Sequence, residues 1–382
     1  MLEYALFFVI GLFIGALSGI VPGLHPNLIS AITVVQDIGY EKKAVLLVSL
    51  YSGHIIFSAI PSVFFGIPDE RTVTSVLPGQ RMAKHGEGML AVKTIAVSAL
   101  VASLGAFLLM GPAIEFYPVA YGAVRAYLLP ILALASLILV LKTKNPLYAA
   151  LIFLAAGFLG AYALRTTMQD AFLPLFSGMF AMGAIMNYMK QPMPPQKDGK
   201  LDSGIVKYAL LGMLLGGLAN LIPAVSSPAQ IAAFASLFIA FESGNYLATV
   251  AAVNVGQFLF ALASSVSIEK ARHGVIVNLG EVIDIGSNMQ MLLFYFLLGI
   301  GISAAVLFLM RKRIAMLANI DFSVFNKLLA LYLVIVVLLL DGIPGLLVFA
   351  AASLIGFFTL RLGVERTVMM GAIIVPTLML LA

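Results

Sequence analysis

Two short stretches of this sequence collect polar residues inside apolar surroundings. The first follows Gly15 and holds Ser18, Pro22, Gly23, His25, Pro26, Asn27 and Ser30. The second follows Gly216 and holds Asn220, Pro223, Ser226, Ser227, Pro228 and Gln230. Proline removes a backbone donor and clashes with the turn before it, so neither stretch continues a helix. A broken helix leaves bare N–H groups and a partial positive charge at the start of its second piece, which suits an anion. Hydroxyl, amide and main-chain oxygens in the same place suit Na⁺. The long apolar segments that follow add Ser52, Gly53, His54 and Ser58 in one case, and Asn254, Gln257, Ser264 and Ser265 in the other.

The chemistry these residues offer is binding. Candidate anion contacts are Pro22, Gly23, His25, Asn27, Gly53, His54, Ser226, Ser227 and Gln257. Arg71 and Thr72 join them from the loop Asp69-Glu70-Arg71-Thr72-Val73-Thr74. Candidate ion ligands are Ser226, Ser227, Asn254 and Ser264. For any single serine, packing with a hydrogen bond to the preceding turn is the plainer role. His25 and His54 could carry a proton, donate to a substrate or cap a broken helix. Neither has a carboxylate or second ligand at metal spacing. The sequence also has no Gly-x-Ser-Gly nucleophile setting and no carboxylates paired inside an apolar segment. An enzyme, a cofactor and a metal site are therefore not expected.

A lipid bilayer must position these groups. Of 382 residues, 62% are hydrophobic and 10% charged, with mean hydropathy +1.08. Soluble domains carry roughly a quarter charged residues. At roughly 20 residues per crossing the chain fits about 10–14 membrane segments, an all-α polytopic protein. The absence of cysteine removes disulfides and thiolates, and the absence of tryptophan leaves any interfacial belt to tyrosine. The net charge of +5 reads as positive cytoplasmic loops, not as nucleic-acid binding. The N-terminus lacks a basic region before its apolar run, so it reads as a mature helix.

The pattern occurs twice. Gly15-Ala16-Leu17-Ser18-Gly19-Ile20-Val21-Pro22 parallels Gly216-Gly217-Leu218-Ala219-Asn220-Leu221-Ile222-Pro223. Ser52-Gly53-His54 parallels Val255-Gly256-Gln257, and Ser62-Val63 parallels Ser265-Val266. Near the ends, Asn145-Pro146 and Leu164-Arg165 parallel Ile343-Pro344 and Leu360-Arg361. This divides the chain into repeats at 1–189 and 205–382, joined by a linker at 190–204. Cytoplasmic loops collect Lys and Arg. With the linker inside, Lys142, Lys144, Arg71, Arg81 and Lys84 fall on its side. Arg311-Lys312-Arg313, Arg361 and Arg366 do so only if the second repeat is inverted. Short apolar pieces after paired breaks in inverted halves are the re-entrant elements that mark a transporter's binding site.

Gly15 to Gly23, Ser52-Gly53, Gly66-Ile67-Pro68, Thr72 to Thr74, and Gly79-Gln80-Arg81-Met82-Ala83-Lys84-His85-Gly86-Glu87-Gly88 resemble the TctA family. That family is the large membrane subunit of tripartite tricarboxylate transporters. The resemblance is clearest over 15–105. It implies ion-coupled uptake of carboxylates, a small membrane subunit and an extracytoplasmic binding protein. Na⁺ or H⁺ is the expected coupling ion, and the plasma membrane the expected location. A homodimer stays open. The expected function is secondary active transport of a small anionic solute. Pro22-Gly23 also matches part of a turn found in polyprenyl-phosphate translocases, so a lipid phosphate is the alternative cargo.

Overall fold

The computed structural model describes residues 2–21, 26–65, 76–188, 193–222, 231, 242–316 and 323–382, with backbone alone at 27, 28, 31, 65, 76 and 77. Among them every regular element is helical, because a lipid-facing segment must close its own backbone hydrogen bonds. The first half holds α1 (Leu2–Ile20), α2 (Pro26–Val34), α3 (Tyr40–Phe57), α4 (Val76–Lys84), α5 (Gly88–Leu108), α6 (Met110–Val124), α7 (Leu128–Leu141), α8 (Pro146–Ala163) and α9 (Phe172–Met186). The second holds α10 (Ile205–Ala219), α11 (Ser243–Ile268), α12 (Gly274–Val282), α13 (Met289–Met316), α14 (Ser323–Arg361) and α15 (Arg366–Leu381). Eight stretches of the described residues are long and apolar enough to cross a bilayer, and α9, α10 and α15 are shorter apolar helices.

α14 counts 39 residues. Straight, it would reach about 58 Å, nearly twice the hydrocarbon thickness. It breaks at Gly342, whose φ of 62° and ψ of −155° are not helical. That positive φ suits a residue without Cβ, and Pro344 follows it. The two limbs, 323–341 and 343–361, are each about as long as one bilayer crossing.

α3 and α11 form the centre. Their apolar windows are wholly buried, whereas α1, α7 and α14 turn most of theirs outward. α1 packs along α3 and α10 along α11 with the backbones touching. A Cβ on Gly15 would sit 2.0 Å from Leu50 O, and one on Gly216 would sit 2.4 Å from Val253 O. Small residues at these points are what allow such approach. α13 packs on α3, and α5 packs on α11. A second buried cluster joins α8 to α15 and α9 to the second limb of α14. Outward faces carry Phe13, Leu137, Phe158, Phe294 and Phe358, as lipid contact requires.

Residues 193–204 do not hang free. Gly88 N donates to Gln196 Oε1 at 2.8 Å, and Lys197 N donates to Gly86 O at 2.7 Å. Asp198 accepts from Lys93 of α5 and from Arg311 Nη2 of α13 at 3.1 Å. Hydrogen bonds from Lys93 and Arg311 hold its carboxyl below the usual carboxylate range. Two stretches that read as polar loops, 68–88 and 269–288, contain α4 and α12. The stretch 112–126, which reads as a gap between segments, lies mostly in α6.

Candidate functional site

The central helices carry polar groups where a soluble protein would place leucine. Ser49, Ser52, His54, Ser58, Asn254, Gln257 and Ser264 are all buried. Buried polar atoms need partners, and most of these serines find theirs one turn back. Ser52 Oγ donates to Ser49 O at 2.8 Å, Ser58 Oγ to Ile55 O at 3.1 Å and Ser265 Oγ to Leu262 O at 2.8 Å. Ser264 Oγ donates to Lys270 O at 3.0 Å and closes the end of α11, where Glu269 adopts a left-handed conformation at φ 54°.

His54 reaches across to α1. Its Nδ1 lies 3.0 Å from Ser18 Oγ, which also reaches Gly15 O at 2.9 Å. The His54 tautomer sets which of the two groups donates in that contact. The corresponding approach of α10 to α11 uses amides. Asn220 Nδ2 donates to Gln257 O at 3.1 Å. Asn220 Oδ1 is buried with no hydrogen-bond partner among the described residues. Tyr117 of α6 donates to Gly217 O at 2.7 Å and closes this corner.

The two central helices meet at Tyr51 and Asn254, where the hydroxyl donates to Oδ1 at 2.8 Å. The Tyr51 ring stacks on Phe258 at 4.3 Å between centroids, and Phe258 stacks on Phe296 at 4.8 Å. His273, at the start of α12, sets its edge on Tyr51 at 4.6 Å. α12 also grips α2, since Asn278 Nδ2 donates to Ser30 Oγ at 2.6 Å.

Of the residues singled out by sequence, Gly53, His54, Asn254 and Gln257 lie on these central helices, with Asn254 and Gln257 one turn apart. Ser264 is ten residues beyond Asn254, about 15 Å along a helix, so the two cannot share one ion. Asn27 stands in the first turn of α2. Pro22, Gly23, His25, Arg71, Thr72, Ser226 and Ser227 lie outside the described residues. Sequence reasoning passed over Tyr51 and Tyr117. Tyr51 carried a usable signal, because the alignment of His54 with Gln257 sets it opposite Asn254.

The profile of the Tripartite tricarboxylate transporter TctA family matches residues 5–371. Uncharacterized protein MJ1079 of Methanocaldococcus jannaschii is 21% identical over 394 aligned positions, which cover 98% of each chain. No solved structure matches the chain. With a family match over nearly its whole length and eight stretches able to cross a bilayer, this multi-pass membrane protein belongs to the TctA family of tripartite tricarboxylate transporters.

Proposed function

We propose that the chain is an ion-coupled permease for a small carboxylate, built from two inverted repeats whose central helices cross at the binding site. The observation that carries this reading is the Tyr51–Asn254 hydrogen bond. These two residues are 203 positions apart, the same offset that aligns His54 with Gln257. A residue and its own counterpart can touch only near an axis relating the halves. The rest of the packing is reciprocal in the same way. α1 lies on α3 as α10 lies on α11, and α13 lies on α3 as α5 lies on α11. A Cβ on Gly160 of α8 would meet Ala372 O at 1.9 Å, and one on its counterpart Gly356 would meet Met179 O at 2.0 Å.

Direction supports inversion. α5 begins beside the linker, through Lys93, and its counterpart α13 ends beside it, through Arg311. Counterparts that run opposite ways relative to one segment belong to inverted halves. α2, nine residues long, spans only about 14 Å and fits a re-entrant element.

The proposed anion site combines Gly53, His54 and Gln257 with the breaks at Pro22, Gly23, His25 and Asn27 and at Ser226 and Ser227, and with Arg71 and Thr72. Na⁺ or H⁺ would couple. Asn254 stays with Ser226 and Ser227 in the ion set, and Ser264 leaves it. His54, held against Ser18, would carry the coupled proton or contact the substrate. The linker would face the cytoplasm of a plasma-membrane protein, with a small membrane subunit and an extracytoplasmic binding protein as partners. The test is uptake of labelled citrate by proteoliposomes holding the chain with those partners, with the Na⁺ and H⁺ gradients collapsed in turn. Uptake that collapses with one gradient and is lost in His54→Ala is expected. Uptake indifferent to both gradients would contradict the coupling.

A further inference from the structure

The start of α15 carries a charge that the chain does not answer. Helix N-termini favour anions, because four N–H groups and the positive end of the dipole converge there. α9 follows that rule. Asp170 Oδ1 accepts from Phe172 N at 3.0 Å and Leu173 N at 3.3 Å, and Asp341 Oδ1 accepts from Asp170 N at 2.9 Å. α15 breaks the rule, since its first residue is Arg366. The guanidinium atoms Nε and Nη1 are buried with no hydrogen-bond partner among the described residues, and so is Thr367 Oγ1, whose residue is 3% exposed. None of the described salt bridges reaches Arg366.

α8, α14 and α7 pack against this turn, and their one carboxylate, Asp341, is engaged at the start of α9. Val368 and Met369 share a buried cluster with Ala149 in the first turn of α8. That helix begins at Pro146, directly after Lys142 and Lys144. Arg361, on the preceding turn, lies over the Phe357 ring at 5.3 Å. Glu365 is exposed. Arg366 is half-buried, and buried guanidinium N–H groups without an acceptor are unfavourable, the more so at a helix N-terminus of the same sign.

We propose that the start of α15 binds a phosphate group, held by the Arg366 guanidinium, the Thr367 hydroxyl and the first free N–H groups of the helix. A guanidinium donates charge-assisted hydrogen bonds to phosphate oxygens. The site closes the end of an apolar helix, the depth at which lipid headgroups lie, and basic pockets between membrane helices take such headgroups. A phospholipid headgroup and free phosphate share this chemistry. The site is separate from the central helices and does not depend on what they carry.

The test titrates the purified full-length protein in detergent with short-chain phosphatidylglycerol, short-chain phosphatidylcholine and inorganic phosphate, reading the melting temperature. Wild type should gain stability from phosphatidylglycerol beyond phosphatidylcholine if the source is lipid. It should gain from inorganic phosphate alone if the source is free. In Arg366→Met the apparent affinity should fall by about tenfold or more, the scale of one charge-assisted bond. Thr367→Val, which keeps the guanidinium, should show a smaller loss and carries the test if the first variant does not fold. No response of wild type to phosphatidylglycerol or phosphate would overturn the proposal. So would an undiminished response in either folded variant.

Discussion

Tyr51→Phe removes one oxygen and leaves the ring on Phe258. The loss should therefore report the hydrogen bond to Asn254 and little else. Breaking a bond between buried partners costs about 1–3 kcal/mol in proteins generally, whereas interhelical bonds within bilayers average about 0.6 and reach about 1.7 kcal/mol. The Tyr51–Asn254 distance of 2.8 Å and the complete burial of Tyr51 place this one in the upper part of the membrane range, at about 1–1.5 kcal/mol. Asn254→Ala should cost more, because it also empties volume in a packed helix. The double variant should cost less than the sum, by about 1 kcal/mol, since each single change already removes the shared bond. The assay is reversible unfolding in mixed micelles with increasing dodecyl sulfate, followed by tyrosine fluorescence and far-ultraviolet circular dichroism. Additivity of the two changes within about 0.3 kcal/mol would mean that the residues do not meet, and the axis drawn through them would be misplaced.

Other outcomes follow from the same geometry. Gly216→Leu forces α10 off α11, because its Cβ would begin 2.4 Å from Val253 O. Folded yield should fall sharply, with a loss of about 3 kcal/mol or more, while leucine at Gly244, which has open space around its Cβ position, should be tolerated in thermal-shift assays. Ser18→Ala should leave the fold intact and lower citrate uptake by fixing His54 less firmly, and an unchanged uptake rate would remove Ser18 from the site. Asp198→Asn should loosen the linker and raise its cleavage rate by added protease. The depressed carboxyl of Asp198 gives the pH sign. The contact is complete above the ordinary carboxylate pKa and is lost as pH falls through the lower folded value, so wild type should come to resemble the variant only in strong acid.

Much of the fold was legible because apolar length is a strong signal in lipid. α1, α5, α8 and α13 stand close to where their runs of apolar residues begin and end. α6 was not legible, because Gly111, Pro112, Glu115 and Pro118 interrupt its apolar pattern. Pro112 nonetheless falls in the first turn, where a missing N–H is harmless. α4 and α12, nine residues each, are too short to register by periodicity. At the site, glycine and proline marks set the register that found Gly53, His54, Asn254 and Gln257. Tyr51 read as one more aromatic in an apolar run. Only its place opposite Asn254 in the second half distinguishes it. Ser264 misled in the other direction, because a hydroxyl that closes a helix end has the same sequence signature as one that binds an ion.

The chain contains no cysteine, so single cysteines can be placed without altering a background. Lys200→Cys and Lys312→Cys lie on the linker side of the proposed arrangement, and Arg165→Cys and Ser287→Cys lie on the far side. Labelling with a membrane-impermeant maleimide in oriented vesicles measures their sidedness directly. Inverted halves predict that the first pair reacts only from the cytoplasmic face and the second pair only from the outer face. Reaction of Lys312→Cys and Lys200→Cys from opposite faces would place the halves in parallel and contradict the account.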